Sequence, residues 1–127
     1  MAGLAGFGEE FYEGLYQRGM THFRAGDYQS SFDELHLAAF GFLDQPEKVE
    51  TIEIYAALAA NRLGNEALTR EALIRIVSAE KIQPHFQSVT IPEAVRAEIV
   101  RTSEILLTRE ERSVLRGPAP AASLHRR

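Results

Sequence analysis

Apolar side chains recur at intervals of three and four along most of this chain, a spacing that predicts helices rather than strands. Between Glu9 and Arg24 the stripe is Phe11, Tyr12, Leu15, Tyr16, Gly19 and Phe23. A second helix is predicted from about Tyr28 to Phe42, with Phe32, Leu35, Ala38, Ala39 and Phe42 turned inward. A third runs to about Arg62 and carries Val49, Ile52, Tyr55, Ala59 and Leu63. The fourth covers about Glu66 to Glu80 with Leu68, Ala72, Leu73, Ile76 and Val77, and the fifth runs to about Leu107 with Val95, Ile99, Val100, Ile105 and Leu106. Five helices with short links and no strand pattern of useful length make an all-α domain.

The links carry their own signals. Ala25-Gly26-Asp27 and Gly64-Asn65 each place a glycine where a helix ends in the left-handed conformation. Asp44-Gln45-Pro46-Glu47, Thr90-Ile91-Pro92-Glu93 and Thr108-Arg109-Glu110-Glu111 each read as a capping box, a polar cap residue followed by glutamate three positions on. The last of these either begins a short sixth helix or continues the fifth. Between Ile82 and Val89, Phe86 and Val89 are tucked in or pair briefly as extended chain. The expected boundaries are a flexible N-terminus over residues 1–8, a helical domain over 9–116, and a disordered tail over 117–127, where Pro118 and Pro120 interrupt a stretch with no core pattern.

Composition narrows the function classes. A chain of 127 residues fits one domain with one modest core. Without cysteine it has neither disulfides nor thiolate metal sites. Fourteen Lys and Arg against 18 Asp and Glu leave a formal charge of −4, which argues against a nucleic-acid partner. No stretch approaches the roughly 18 apolar residues of a membrane span. Met1 to Gly8 is too short and too uncharged for a signal peptide. The compartment stays open between the cytoplasm, slightly favoured, and a mature exported domain. Positive charge is nearly all arginine, which suits planar contacts with carboxylates or a composition bias of a GC-rich, bacterial-type genome.

Gly19, Phe23, Gly26, Tyr28, Leu35 and Ala38 fill the places of a tetratricopeptide repeat unit, with Ser31 at a small-residue place. Leu15 stands where that family often has tryptophan, and Arg18 where leucine is usual. In the second hairpin Ala57 matches the first small position and Leu63-Gly64-Asn65 the turn, whereas Ala72, Ile76, Ala79 and Pro84 match only after an insertion, and Gly26 and Gly64 lie farther apart than the usual repeat of about 34 residues. From about Phe11 to Pro84 the chain thus resembles a divergent two-repeat array of the tetratricopeptide family. The resemblance implies antiparallel hairpins stacked as a short right-handed array, with the fifth helix as its C-terminal cap. A single hairpin cannot bury its apolar face alone, so stacking is physically required.

Catalytic and metal chemistry find little support. His22, His36, His85 and His125 lie far apart, with no HExxH spacing. Asp33 and His36 share one helical face and are the nearest approach to a metal pair, but a solvated face is the favoured reading. His22 reads as a half-buried packing histidine. The adjacent pairs Glu9-Glu10, Asp33-Glu34 and Glu110-Glu111 diverge by about 100° on a helix and do not form an acid/base pair. Gly3, Gly6 and Gly8 lack the strand and the Lys-Ser/Thr of a phosphate loop. The expectation is a chain without catalytic residues, metal or cofactor.

The functional expectation rests on the face that the resemblance makes concave. Carried over position by position, it is Glu13, Tyr16, Met20, Phe23 and Arg24 in the first repeat, and Thr51, Ile54, Leu58, Asn61 and Arg62 in the second. Aromatics, methionine and arginine are enriched at interface anchors, although Tyr16, Met20 and Phe23 also suit a core. Family members that hold a C-terminal carboxylate use lysine and asparagine where this chain has Tyr16 and Met20, so that mode of binding is not expected. The leading expectation is an adaptor or assembly module that binds a peptide segment or partner helix on this face. The alternative is a structural subunit that homodimerises, or docks in a larger complex, through the same apolar patch.

Overall fold

A computed structural model describes residues 2–116, with side chains from Gly8 onward; the tail expected to be disordered lies outside the described residues. Among the described residues six α-helices pack against one another: α1 (Ala2–Ala25), α2 (Tyr28–Ala38), α3 (Pro46–Arg62), α4 (Glu66–Ile82), α5 (Glu93–Leu106) and α6 (Arg109–Arg116). A 3₁₀ turn at Ala39–Phe42 closes α2. Among the described residues there is no strand. The backbone of α1 begins at Ala2, upstream of the expected start near Glu9.

The first two hairpin turns use one device twice. Gly26 and Gly64 have φ of 83° and 78°. At each, the residue after glycine donates its amide back to the helix, Asp27 to the His22 carbonyl at 2.9 Å and Asn65 to the Ala60 carbonyl at 3.1 Å. This is the Schellman closure, which satisfies carbonyls that the helix end leaves unpaired. The same two residues cap the next helix. Asp27 accepts from the Ser30 amide and Asn65 from the Leu68 amide. One residue pair thus ends one helix and begins another, which leaves no slack and folds α1 back on α2 and α3 back on α4. Gly26→Val should cost at least about 1 kcal/mol, because a β-branched residue resists positive φ. Thermal melting of the variant checks this, and an unchanged midpoint would contradict it.

Gly19 lies where α1 and α2 cross. A Cβ there would stand 2.7 Å from Leu35 Cγ and Cδ2, and the Gly19 carbonyl accepts from Ser31 Oγ at 2.8 Å. Farther along the same antiparallel pair, Gly41 lies against Tyr12, a contact the sequence pattern did not reveal.

Helix α3 is the centre of the domain. Every residue from Ile52 to Ala60 is buried, and seven of them (Ile52, Ile54, Ala56, Ala57, Leu58, Ala59 and Ala60) have no exposed surface. Its alanines let neighbours approach from several sides, while Ile52, Ile54 and Leu58 fill the spaces between them. Each fully buried side chain of that size contributes about 1.5–3 kcal/mol.

Two of the three expected capping boxes do not form. Pro46 is the first residue of α3, so Gln45 takes the cap position without a side-chain bond. Glu47 instead accepts from Ser88 Oγ. At α5 the cap residue is Pro92, again without a side-chain bond; the approach is fixed instead by Arg96, which donates to the carbonyls of Phe86 and Val89 at 3.0 and 2.6 Å. The third box forms as expected. Thr108 and Glu111 exchange bonds of 2.8 and 3.2 Å, and the extended Leu107 separates α6 from α5. Arg70 then ties α6 to α4, with two bonds of 3.0 Å to the Glu111 carboxylate and one of 2.7 Å to the Leu106 carbonyl. In the 83–92 connection Phe86 and Val89 are tucked in, 2% and 4% exposed.

Candidate binding surface and a buried carboxylate pair

The residues expected to line one face are divided by the structure. Ile54 and Leu58 have no exposed surface, so they are core, not groove. The cause is the central position of α3, which α2, α4 and α5 enclose. Phe23 is also core: its ring packs edge-on against Tyr28 and Tyr55 at 5.5 and 5.1 Å. Arg62 is committed within the fold. Its guanidinium lies 4.8 Å from the Phe23 ring centre and donates to both Glu98 oxygens and to the Tyr28 hydroxyl. It thereby links α3 to α5 and to the start of α2. Asn61 is exposed beside it.

The remaining members share the accessible side of α1. Glu13 accepts from Lys48 Nζ at 2.8 Å and from Gln17 at 2.8 Å, and the lysine contact holds its carboxyl below the ordinary range. Tyr16 and Met20 are half-buried and rest on the core. The Tyr16 ring meets Phe42 edge-on at 6.4 Å, with the Lys48 ammonium 5.1 Å from its centre. Arg24 is exposed one turn beyond Met20. Next to Glu13 opens a cleft of about 690 Å³, lined by Glu9, Glu10, Glu13 and Asp44 around a floor that includes Gly14, Gly41 and Phe42. The face is therefore acidic at one end, aromatic and apolar in the middle, and basic at Arg24. Lys48, its organising cation, was missed because it enters from α3, 35 positions from Glu13.

The other chemical cluster was not anticipated. Glu50 of α3 and Glu80 of α4 are 3% and 4% exposed and lie against each other. Glu80 Oε2 accepts the amides of His85 and Phe86 at 2.7 and 2.9 Å. Glu50 Oε2 is buried and finds no donor, which fits a protonated carboxyl that itself donates. Burial, the bond to Glu80 and the charges of Glu80 and Glu47 push the Glu50 carboxyl up to about 9. Near neutral pH Glu50 therefore keeps its proton. Beside it His85 Nδ1 is 4.0 Å from Glu47 Oε2, and Arg96 approaches from α5.

Elsewhere His22 is engaged by Glu34 at 2.6 Å, and His36 stacks on Phe32 and meets Arg75 at 3.3 Å. Among the described residues no group of three His, Cys, Asp or Glu side chains is placed to hold a metal. No helix among them is long and apolar enough to cross a membrane. No family model, curated protein or solved structure matches the chain.

Proposed function

We propose that this chain is a protein-interaction module, a short tetratricopeptide-like array that binds a peptide segment or partner helix along the accessible side of α1. The observation that carries the reading is the graded face itself. Tyr16 and Met20 present partly exposed apolar surface, with the carboxylates of Glu9, Glu10 and Glu13 on one side and Arg24 on the other. A bound segment would set its apolar side chains on Tyr16 and Met20, a cation toward Glu9 and Glu10, and an acid toward Arg24. No reaction is assigned to this face. A second reading, a structural subunit that homodimerises or docks in a larger complex, is favoured by Phe40 and Leu43 near the end of α2, which are 58% and 68% exposed.

Tyr16→Ala with Met20→Ala should weaken association by about 2 kcal/mol or more, as interface-anchor truncations do. Arg24→Glu, at an exposed position, should weaken it without moving the melting point. A photo-crosslinker at position 20 identifies the partner, and titration of that partner against the variants gives the affinities. Loss of stability with unchanged association would show that Tyr16 and Met20 serve only the core. Crosslinks solely to a second copy, with a concentration-dependent dimer in solution, would favour the structural-subunit reading.

A further inference from the structure

We propose that the 83–92 connection is a strap held shut by the single proton that Glu50 and Glu80 share, so that losing the proton releases the strap from the α3–α4 pair. The Glu80 carboxylate is the strap's anchor, because one oxygen receives two successive strap amides, those of His85 and Phe86. That oxygen is available to the strap only while Glu50, lying against it, carries a proton instead of a second negative charge. The strap carries Phe86 and Val89 into the core, and Arg96 of α5 grips the carbonyls of those two residues. The ionisable neighbours of Glu50 are Glu47 on its own helix, Glu80 on α4 and Arg96 on α5; Arg96 opposes the other two and leaves the balance in favour of the neutral carboxyl. No charged group of α1 or α2 contributes to this balance.

The sign of the pH response follows. The closed strap keeps the Glu50 proton up to about pH 9, whereas the open strap hydrates Glu50 and returns it to its ordinary value of 4.5. Opening therefore releases a proton. The population of open strap grows as pH rises between those two values, by up to about tenfold per pH unit, and levels off above the upper one.

Amide hydrogen exchange from pH 6 to 9, corrected for the intrinsic pH dependence of exchange, reads this directly. In the full chain the protection of the His85 and Phe86 amides should fall by up to about tenfold per pH unit, and at every pH it should lie below that of the amide of the wholly buried Leu35 in α2. Glu50→Gln replaces the titrating proton with a fixed amide donor, and its strap amides should show no such slope. Equal slopes in the wild type and Glu50→Gln would overturn the proposal, as would equal protection at His85, Phe86 and Leu35, which would mean that the whole fold opens together. Should Glu50→Gln not fold, a carbon-13 carboxyl titration of the wild-type chain decides. A Glu50 midpoint above about pH 7 supports the shared proton, and a midpoint near the ordinary value of 4.5 overturns it.

Discussion

Gly41→Ala should lower stability by about 3 kcal/mol, the upper end of what overpacking costs. A single methyl at this position would stand 2.1 Å from Tyr12 Cγ and 2.2 Å from Tyr12 Cβ. The Cβ is the decisive atom, since it is fixed to the α1 backbone and no rotamer change removes it. Relief requires moving α1 away from the end of α2, and that displacement would loosen the Tyr16–Phe42 contact one turn along. For a domain of this length the loss corresponds to a melting shift on the order of 10 °C. Gly14→Ala is the internal control. It lies on α1, the helix that Gly41 meets, and the nearest atom to its new methyl is Arg18 Nη1 at 3.4 Å, the end of a flexible side chain. It should be neutral or gain about 0.5–1 kcal/mol from restricting the unfolded chain. Similar melting points for the two variants would show that the α1–α2 contact is not the close approach described.

Gly41 also marks the limit of what periodicity reveals. The helices were legible because their apolar stripes are regular and because Gly-Asp and Gly-Asn carry local turn chemistry. Gly19 was legible for a similar reason, lying in the stripe where a small residue must meet another helix. Gly41 sits in the run Ala39-Phe40-Gly41-Phe42, after the stripe of α2 has ended in a 3₁₀ turn. Its partner is on another helix. The two lost capping boxes failed on register, since a proline fixes the first helical residue in α3 and sits at the cap of α5, moving each cap off the expected polar residue.

The placement of Ile54 and Leu58 in a groove came from carrying family positions onto α3. The alanines at 56, 57, 59 and 60 held the contrary signal. Small residues on consecutive positions face every direction, and such a helix can be enclosed on all sides. Glu50 and Glu80 were legible only in part. Glu50 shares the phase of Ile54 and Ala57, and Glu80 that of Leu73, Ile76 and Val77, so each carboxylate occupies a core position of its helix. What the sequence does not contain is that α3 and α4 bring the two together.

Glu80→Ala should be the second large loss, at about 3 kcal/mol. The side chain is the shared acceptor of the His85 and Phe86 amides, and Phe86 is only 2% exposed. Its removal leaves buried donors without partners, at about 1–3 kcal/mol for each that water cannot reach. Glu50 loses its acceptor in the same step. Glu80→Met separates the polar cause from the loss of volume, because methionine nearly fills the space and accepts only weakly. Both variants should therefore be destabilised to a similar extent, whereas Glu80→Gln, which keeps a carbonyl oxygen for the two amides, should lose much less. Denaturant unfolding at fixed pH measures all three. The dependence of wild-type stability on pH should follow the same pair. The native state holds the Glu50 proton that the unfolded chain has lost above pH 4.5. Stability contributed by this group is therefore greatest in acid and falls as pH rises toward about 9. Removing Glu80 takes away the negative charge and the hydrogen bond that favour protonated Glu50, so the fall should be shallower in Glu80→Met than in the wild type. A Glu80→Met chain as stable as wild type, with the same pH slope, would show that the Glu80 carboxylate neither anchors the strap nor holds the Glu50 proton in place.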